Sequence, residues 1–135
     1  MRYAGIIKND IAAGNKVNVT FFVQGCAFHC AGCHNPQTWD FEGGKEFTND
    51  TLTEVLDALH ANGVERNFSI MGGEPLCPEN LFLTYLLAST VKKEYPNVQI
   101  YIWTGYVYED LLKRDEDRLN KILELTDFLI DGPYI

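Results

Sequence analysis

Hydrophobic and polar positions alternate along the chain with two different periods. Short runs of β-branched and aromatic residues predict strands at 17–23, 68–71, 98–103 and 128–130. A weaker apolar run at 3–7 predicts an edge strand that leads into a polar loop. Between these runs, apolar residues recur every three or four positions, which is the period of a helix with one buried face.

Three stretches have this helical period. The first has Thr48 or Asn49 as its N-cap and stops at Gly63, because serine-like caps and glycine mark helix ends. The second stops before Pro96, since proline cannot continue a helix. The stretches are 48–62, 79–95 and 107–125, and the last is predicted to form one or two helices.

The order of elements predicts an α/β fold with a mostly parallel sheet, because strands that alternate with helices are joined by right-handed crossovers. We expect one domain spanning residues 1–135. Each predicted strand is followed by a polar or glycine-rich segment, and these segments begin at Gly25, Gly72, Thr104 and Asp131. Ligand sites of parallel sheets form at the carboxyl ends of the strands, so the four segments should meet at one site.

The composition excludes some classes of function. Apolar residues make up 46% of the chain and the net charge is −8 without a basic block, which argues against a nucleic-acid surface or an anionic membrane as the partner. No stretch approaches the roughly 20 apolar residues that span a bilayer, and the N-terminus has no apolar signal core. We therefore expect a cytoplasmic protein, in which four cysteines serve as metal ligands or reactive thiols.

Three of the cysteines follow the first confident strand with the spacing C-x3-C-x2-C, at Cys26, Cys30 and Cys33. They supply three soft ligands from one loop, whereas structural zinc and ordinary four-cysteine clusters need a fourth. The pattern indicates a cluster with one open metal position. A zinc site completed by His29 or His34 is the alternative, although adjacent Cys33 and His34 make poor chelate geometry.

A second motif, Gly72-Gly73-Glu74-Pro75, ends the strand predicted at 68–71. Glycines let the backbone approach a ligand closely, and a carboxylate is a natural acceptor for a cationic amine. Cys77, two residues later, is expected to be a small buried residue.

Together, the cysteine spacing, the Gly-Gly-Glu motif and the β/α alternation resemble the radical S-adenosylmethionine superfamily. The resemblance covers nearly the whole chain. It implies a small partial (β/α) barrel in which Cys26, Cys30 and Cys33 bind a 4Fe–4S cluster and act catalytically through it. It also implies that S-adenosylmethionine chelates the open iron and is cleaved reductively to a 5′-deoxyadenosyl radical.

The resemblance further implies which residues contact the cofactor. The position before the last cysteine is commonly aromatic in the superfamily, but here it is Gly32, so the residue that stacks on adenine is left open. The implied cofactor-binding residues are Gly32, Cys33, His34, Gly72, Gly73, Glu74, Thr104 and Gly105.

Within the superfamily, the C-x-G-C variant, the segment Trp103-Thr104-Gly105-Tyr106 and the Asp131-Gly132 pair resemble the activases of anaerobic ribonucleoside-triphosphate reductase. This resemblance implies hydrogen abstraction from a glycine of that reductase, with flavodoxin or ferredoxin as the electron donor. Those activases continue somewhat beyond the Asp-Gly segment, whereas this sequence stops at Ile135, so the alternatives are a missing C-terminal tail and a natural short form. The alternatives are an activase of another glycyl-radical enzyme such as pyruvate formate-lyase, an iron–sulfur electron carrier, or a non-catalytic zinc-binding module.

Overall fold

A computed structural model of the chain describes residues 1–11, 17–26 and 40–132, and this part contains six strands and four α-helices. A short 3-10 turn, Ala61–Gly63, follows the first helix. The elements, in chain order, are β1 (Arg2–Asp10), β2 (Asn18–Val23), β3 (Lys45–Glu46), α1 (Asn49–Leu59), β4 (Asn67–Gly72), α2 (Leu81–Glu94), β5 (Ile100–Trp103), α3 (Tyr108–Arg114), α4 (Asp117–Leu125) and β6 (Phe128–Ile130).

The strands form one sheet in the order β3-β1-β2-β4-β5-β6. The pairs β2–β4, β4–β5 and β5–β6 are parallel, whereas β1 is antiparallel to both β2 and β3. The predicted α/β class with a mostly parallel sheet is therefore confirmed. The strand predicted at 3–7 is confirmed within β1, which continues to Asp10. Its predicted edge position is wrong, because the two-residue strand β3 pairs with its outer side.

The helices begin and end close to the predicted positions. Thr48 is the N-cap of α1, and its backbone N–H donates to Thr51 Oγ1 at 3.1 Å, which satisfies one donor that the helix itself cannot. The helical stretch at 107–125 divides into α3 and α4 because Asp115 takes a left-handed conformation with φ of 45°.

Side chains of the central strands pack against side chains of the helices in one hydrophobic core. Val19, Phe21 and Val23 of β2 are fully buried in it, and Asn18 and Thr20 on the other face are buried too, as expected for a central strand of a parallel sheet. Each buried apolar side chain contributes about 1.5–3 kcal/mol relative to an exposed one. No helix in the described ranges is long and apolar enough to cross a membrane.

Candidate functional site

The Glu74 side chain lies at the carboxyl end of β4 and is only 2% exposed. Its Oε2 atom accepts the Thr104 hydroxyl at 2.6 Å and the Leu76 backbone N–H at 2.9 Å, and its Oε1 atom accepts the Gly105 backbone N–H at 2.6 Å. Thr104 and Gly105 directly follow β5, the parallel neighbour of β4. The structure thus joins two of the segments that the sequence places at one site.

Burial and hydrogen bonding shift the pKa of the Glu74 carboxyl in opposite directions. Removal from water raises the pKa of this carboxyl above its ordinary value of 4.5, whereas the three hydrogen bonds and the nearby charge of Arg114 oppose that shift. The burial effect is the largest, so the pKa is raised overall. A cation at this position would favour the ionised form.

The turn that carries Glu74 is also attached to the end of β2. The Glu74 backbone N–H donates to the Gly25 carbonyl at 2.8 Å, and Asn80 Nδ2 donates to the same carbonyl at 3.2 Å and to the Glu74 carbonyl at 3.0 Å. Asn80 is the N-cap residue of α2, but its amide joins two loops and makes no capping hydrogen bond. Gly25 immediately precedes Cys26, so the first predicted cluster ligand is fixed next to the second motif.

Both glycines of the second motif stand where a side chain has no room. Gly72 has φ of 108°, and a Cβ atom there would lie 2.8 Å from the Val23 carbonyl oxygen. A Cβ atom on Gly73 would clash with the backbone carbonyl of Gly25. The two positions therefore require glycine for close backbone packing, as well as for any approach of a ligand.

Of the predicted ligands of the cluster, Cys26 is described and is buried. Cys30, Gly32, Cys33 and His34 lie outside the described residues, so their predicted roles stay predictions. Cys77 is buried as expected, and its thiol donates to the Glu74 carbonyl at 3.2 Å. Burial raises the pKa of the Cys77 thiol to about 11, which is a property of a structural cysteine.

The fourth predicted segment reaches the same edge of the sheet. The Asp131 carboxylate accepts the Tyr108 backbone N–H at 2.9 Å, and the Gly132 N–H donates to the Tyr106 carbonyl at 2.9 Å. Tyr106 in turn donates its N–H to the Thr104 hydroxyl at 3.2 Å. The described parts of all four segments therefore converge at the carboxyl edge, as predicted.

Two residues that contact the site are not predicted by the sequence pattern. Asn80 follows Glu74 by six positions and resembles an ordinary helix cap, so its bridging contacts have no distinct sequence signal. Arg114 stands 38 positions after Leu76, and its Nη1 atom donates to the Leu76 carbonyl at 2.6 Å. Only the packing of α3 against the turn reveals this contact.

A cavity of about 470 Å³ lies at the opposite end of the sheet, between the C-terminal ends of α1 and α2 and the start of β4. Its lining includes His60, Arg66 and Tyr95 but none of the motif residues. Because parallel-sheet sites form at the carboxyl ends of strands, the site around Glu74 is the stronger candidate.

Comparison with known proteins gives a consistent result. A family model described as a 4Fe-4S single cluster domain matches residues 12–135. A protein of Enterobacteria phage T4 is 34% identical over 134 residues, covering 99% of this chain and 81% of its own length. A Vibrio cholerae serotype O1 protein is 32% identical over 136 residues (100% and 85%), and an Escherichia coli K12 protein is 30% identical over 136 residues (100% and 86%). All three are named anaerobic ribonucleoside-triphosphate reductase-activating protein.

The chain belongs to this family of reductase-activating proteins. The match to a 4Fe-4S domain supports the predicted cluster over the zinc alternative. The names of the relatives favour the reductase activase over an activase of pyruvate formate-lyase.

Proposed function

We propose that the chain is a radical S-adenosylmethionine activase that generates a glycyl radical on anaerobic ribonucleoside-triphosphate reductase. The observation that carries the proposal is the attachment of the Glu74 turn to Gly25, next to Cys26. This backbone contact joins the turn that carries a buried carboxylate to the residue before Cys26, which supports the proposal. An electron carrier needs no such carboxylate.

Cys26, Cys30 and Cys33 are the proposed ligands of a 4Fe–4S cluster, because thiolates are the usual ligands of such clusters. When bound, the reduced cluster and S-adenosylmethionine supply one electron and a 5′-deoxyadenosyl group, which together yield methionine, 5′-deoxyadenosine and a partner glycine that has lost one hydrogen atom. The chain supplies binding, orientation and exclusion of water around this chemistry.

The Glu74 site fits a hydrogen-bond donor at the methionine end of the cofactor. A carboxylate has about four acceptor sites, and the chain fills three of them, with one hydrogen bond on Oε1 and two on Oε2. Among the described residues, none donates to the remaining acceptor site, which lies on Oε1. Because burial disfavours an unpaired negative charge, a cationic partner would satisfy the carboxylate.

The other proposed contacts follow the same edge of the sheet. We assign Gly72 and Gly73 to the methionine end, and Thr104 and Gly105 to the wall that holds Glu74 in place. Gly32, Cys33 and His34 are proposed cofactor contacts in the cysteine loop. In this proposal the sheet is a partial (β/α) barrel, the protein is cytoplasmic, and a low-potential flavodoxin or ferredoxin is the reductant.

Product analysis under strict anaerobiosis tests this function. Protein loaded with iron and sulfide, reduced with dithionite and given S-adenosylmethionine should release 5′-deoxyadenosine and methionine, and Cys30→Ala should release neither. Addition of the reductase should then produce the electron paramagnetic resonance signal of a glycyl radical. Fully loaded protein that makes no 5′-deoxyadenosine would indicate an electron carrier, and cleavage without radical formation on the reductase would indicate another target.

A further inference from the structure

The two ends of the cysteine loop, residues 26–39, are joined at their base. This loop base consists of residues 24–25 on one side and residues 40–44 on the other. Gln24 is only 2% exposed, and its Nε2 atom donates to the Asp40 carbonyl at 2.6 Å. A buried side chain thus connects the end of β2 with the first described residue after the loop.

The ring of Phe41 makes a second contact across the loop base. Gly25 has φ of 107°, and a Cβ atom there would coincide with this ring, so the ring occupies the place that a side chain would take. The Gly25 carbonyl also accepts hydrogen bonds from Glu74 and Asn80. Gly25 is therefore held both by the Gly-Gly-Glu turn and by Phe41, and this fixes the backbone from which Cys26 follows.

The far side of the loop base is fixed in turn by β1. Arg2 donates from Nε to the Gly43 carbonyl at 2.8 Å and from Nη2 to the Gly44 carbonyl at 2.9 Å. Within the turn, the Gly43 N–H donates to the Asp40 carbonyl at 3.1 Å, and the Glu42 N–H donates to Asp40 Oδ1 at 2.9 Å. Because a guanidinium presents its donors in a rigid fork, these contacts hold the turn against the start of the sheet.

A closed base makes it easier to bring the cysteines together around a metal cluster. Joining the ends of a flexible segment costs conformational entropy that grows with the length of the segment. Here the fold joins the ends without any metal, so less ordering remains for the binding step, and preorganisation of this kind raises affinity. Residues that orient metal ligands without binding the metal typically change metal affinity by about 10–100-fold.

We propose that Gln24 and Phe41 are positioning residues that close the cysteine loop and hold Cys26 in place, so that the protein retains its cluster. This inference rests on the proposed function, in which Cys26, Cys30 and Cys33 bind a 4Fe–4S cluster. Gln24 and Phe41 act through the backbone on either side of the loop, and neither is a ligand of the iron.

The rate at which cluster-loaded protein loses iron tests this role. Loaded protein is mixed anaerobically with dithionite and an excess of a ferrous chelator, at a temperature where every variant is folded, and the absorbance of the iron complex is followed. We expect iron release to be about tenfold faster in Phe41→Ala and in Gln24→Met, which lose the ring and the amide donor. Phe41→Tyr keeps the ring and should stay within about threefold of the wild-type rate.

Phe128→Ala is the matched control. Phe128 is 45% exposed, and its ring stacks on Tyr101 with the centroids 4.7 Å apart. It lies in β6, at the opposite edge of the sheet from β3, so its loss should lower stability and leave the iron-release rate unchanged. The unfolding midpoint of each metal-free protein is measured in parallel. A purely structural role of Phe41 would lower that midpoint, as in Phe128→Ala, without faster iron release.

Each result decides for or against the proposal. A wild-type release rate in Phe41→Ala or in Gln24→Met would overturn the role of that residue, while the cleavage of S-adenosylmethionine is judged by its own assay. Equal acceleration in Phe128→Ala would also overturn the proposal, because it would indicate a general loosening of the fold. Wild-type protein that takes up no iron and sulfide would overturn both this role and the proposed function. If Phe41→Ala does not fold, the comparison of Gln24→Met with Phe128→Ala decides.

Discussion

Thr104 provides the hydrogen bond by which β5 most directly stabilises the charge of Glu74. The hydroxyl donates to a buried carboxylate at 2.6 Å, and hydrogen bonds to charged groups are stronger than neutral ones.

The pKa of Glu74 is raised by burial, so the native protein binds a proton at this site more tightly than the unfolded chain does. Stability should therefore fall as pH rises from about 4.5 through the raised pKa.

Replacement of Thr104 measures this effect. Thr104→Val should lower the free energy of unfolding by about 1.5–3 kcal/mol at pH values above the raised pKa of Glu74, because there it leaves an ionised carboxylate with one donor fewer. The loss should become smaller below the pKa of Glu74, where the carboxyl is neutral. Urea unfolding at several pH values measures both quantities.

Thr84→Val is the control for that experiment. The Thr84 hydroxyl is also buried but donates to the neutral Pro75 carbonyl at 2.7 Å, so its loss should cost about 0.5–1.5 kcal/mol with little dependence on pH. Equal costs and equal pH profiles for the two variants would contradict a charged Glu74.

Cys77 lies three residues from Glu74 but has the properties of a core residue. With a pKa of about 11, roughly one thiol in a thousand is ionised at pH 8, and the thiolate is the reactive form. We expect Cys77→Ala to keep the full iron content and Cys26→Ala to lose it, as measured by iron and sulfide analysis. Loss of iron in Cys77→Ala would instead make Cys77 a cluster ligand.

Individual site residues differ in how far the sequence can predict them. Glu74 is predictable because its Gly-Gly-Glu motif follows a predicted strand, and ligand sites of parallel sheets form at the carboxyl ends of the strands. Arg114 is not predictable, because its contact with Leu76 depends on the angle at which α3 leaves β5. Arginine is common near the C-terminal end of a helix because its charge interacts favourably with the helix dipole. Its position in the sequence therefore gives no sign of a further role.

At the scale of elements, the junction between β2 and β4 depends on Gly73. Its N–H donates to the Val23 carbonyl at 3.0 Å, and the next residue donates to Gly25, so the two strand ends are held against each other. A methyl group on Gly73 would force these backbones apart. Because overpacking of a rigid site typically costs 1–3 kcal/mol, we expect Gly73→Ala to lower stability by about that amount.

The same variant should bind less iron, since it displaces the residue that precedes Cys26. Iron content after anaerobic loading and the midpoint of thermal unfolding measure the two effects. Gly5→Ala in β1 is the matched control, because a Cβ atom there meets nothing within 4 Å. A Gly73→Ala protein as stable and as rich in iron as Gly5→Ala would contradict the predicted junction.

Elements with a clear period are predictable from the sequence, and those without one are not. β2 and β6 occupy the predicted residues within one position, because their apolar runs end at polar or glycine residues. β3 has two exposed residues, Lys45 and Glu46, which contain no hydrophobic pattern. It forms because β1 offers free backbone groups, and this is a property of the partner strand.

At the scale of the whole molecule, the crossover rule predicts the order of the parallel strands. β2, β4, β5 and β6 follow one another in sequence and in the sheet, each separated from the next by helical structure. The rule does not apply to β1, which pairs with β2 in the antiparallel orientation. The helical crossovers thus place the predicted loops at one edge, while β1 and β3 extend the sheet on the other side of β2.

The Gly25 carbonyl accepts hydrogen bonds from both Glu74 and Asn80, and this shared acceptor constrains how the protein can be altered. Gly25 and Glu74 are 49 residues apart in the chain, but this contact means that a change to either segment constrains the other. A chimera that takes the loop from one relative and the turn from another would have to match a single backbone oxygen. Donor proteins for such exchanges are therefore best chosen by the geometry of that junction, ahead of the similarity of their cysteine motifs.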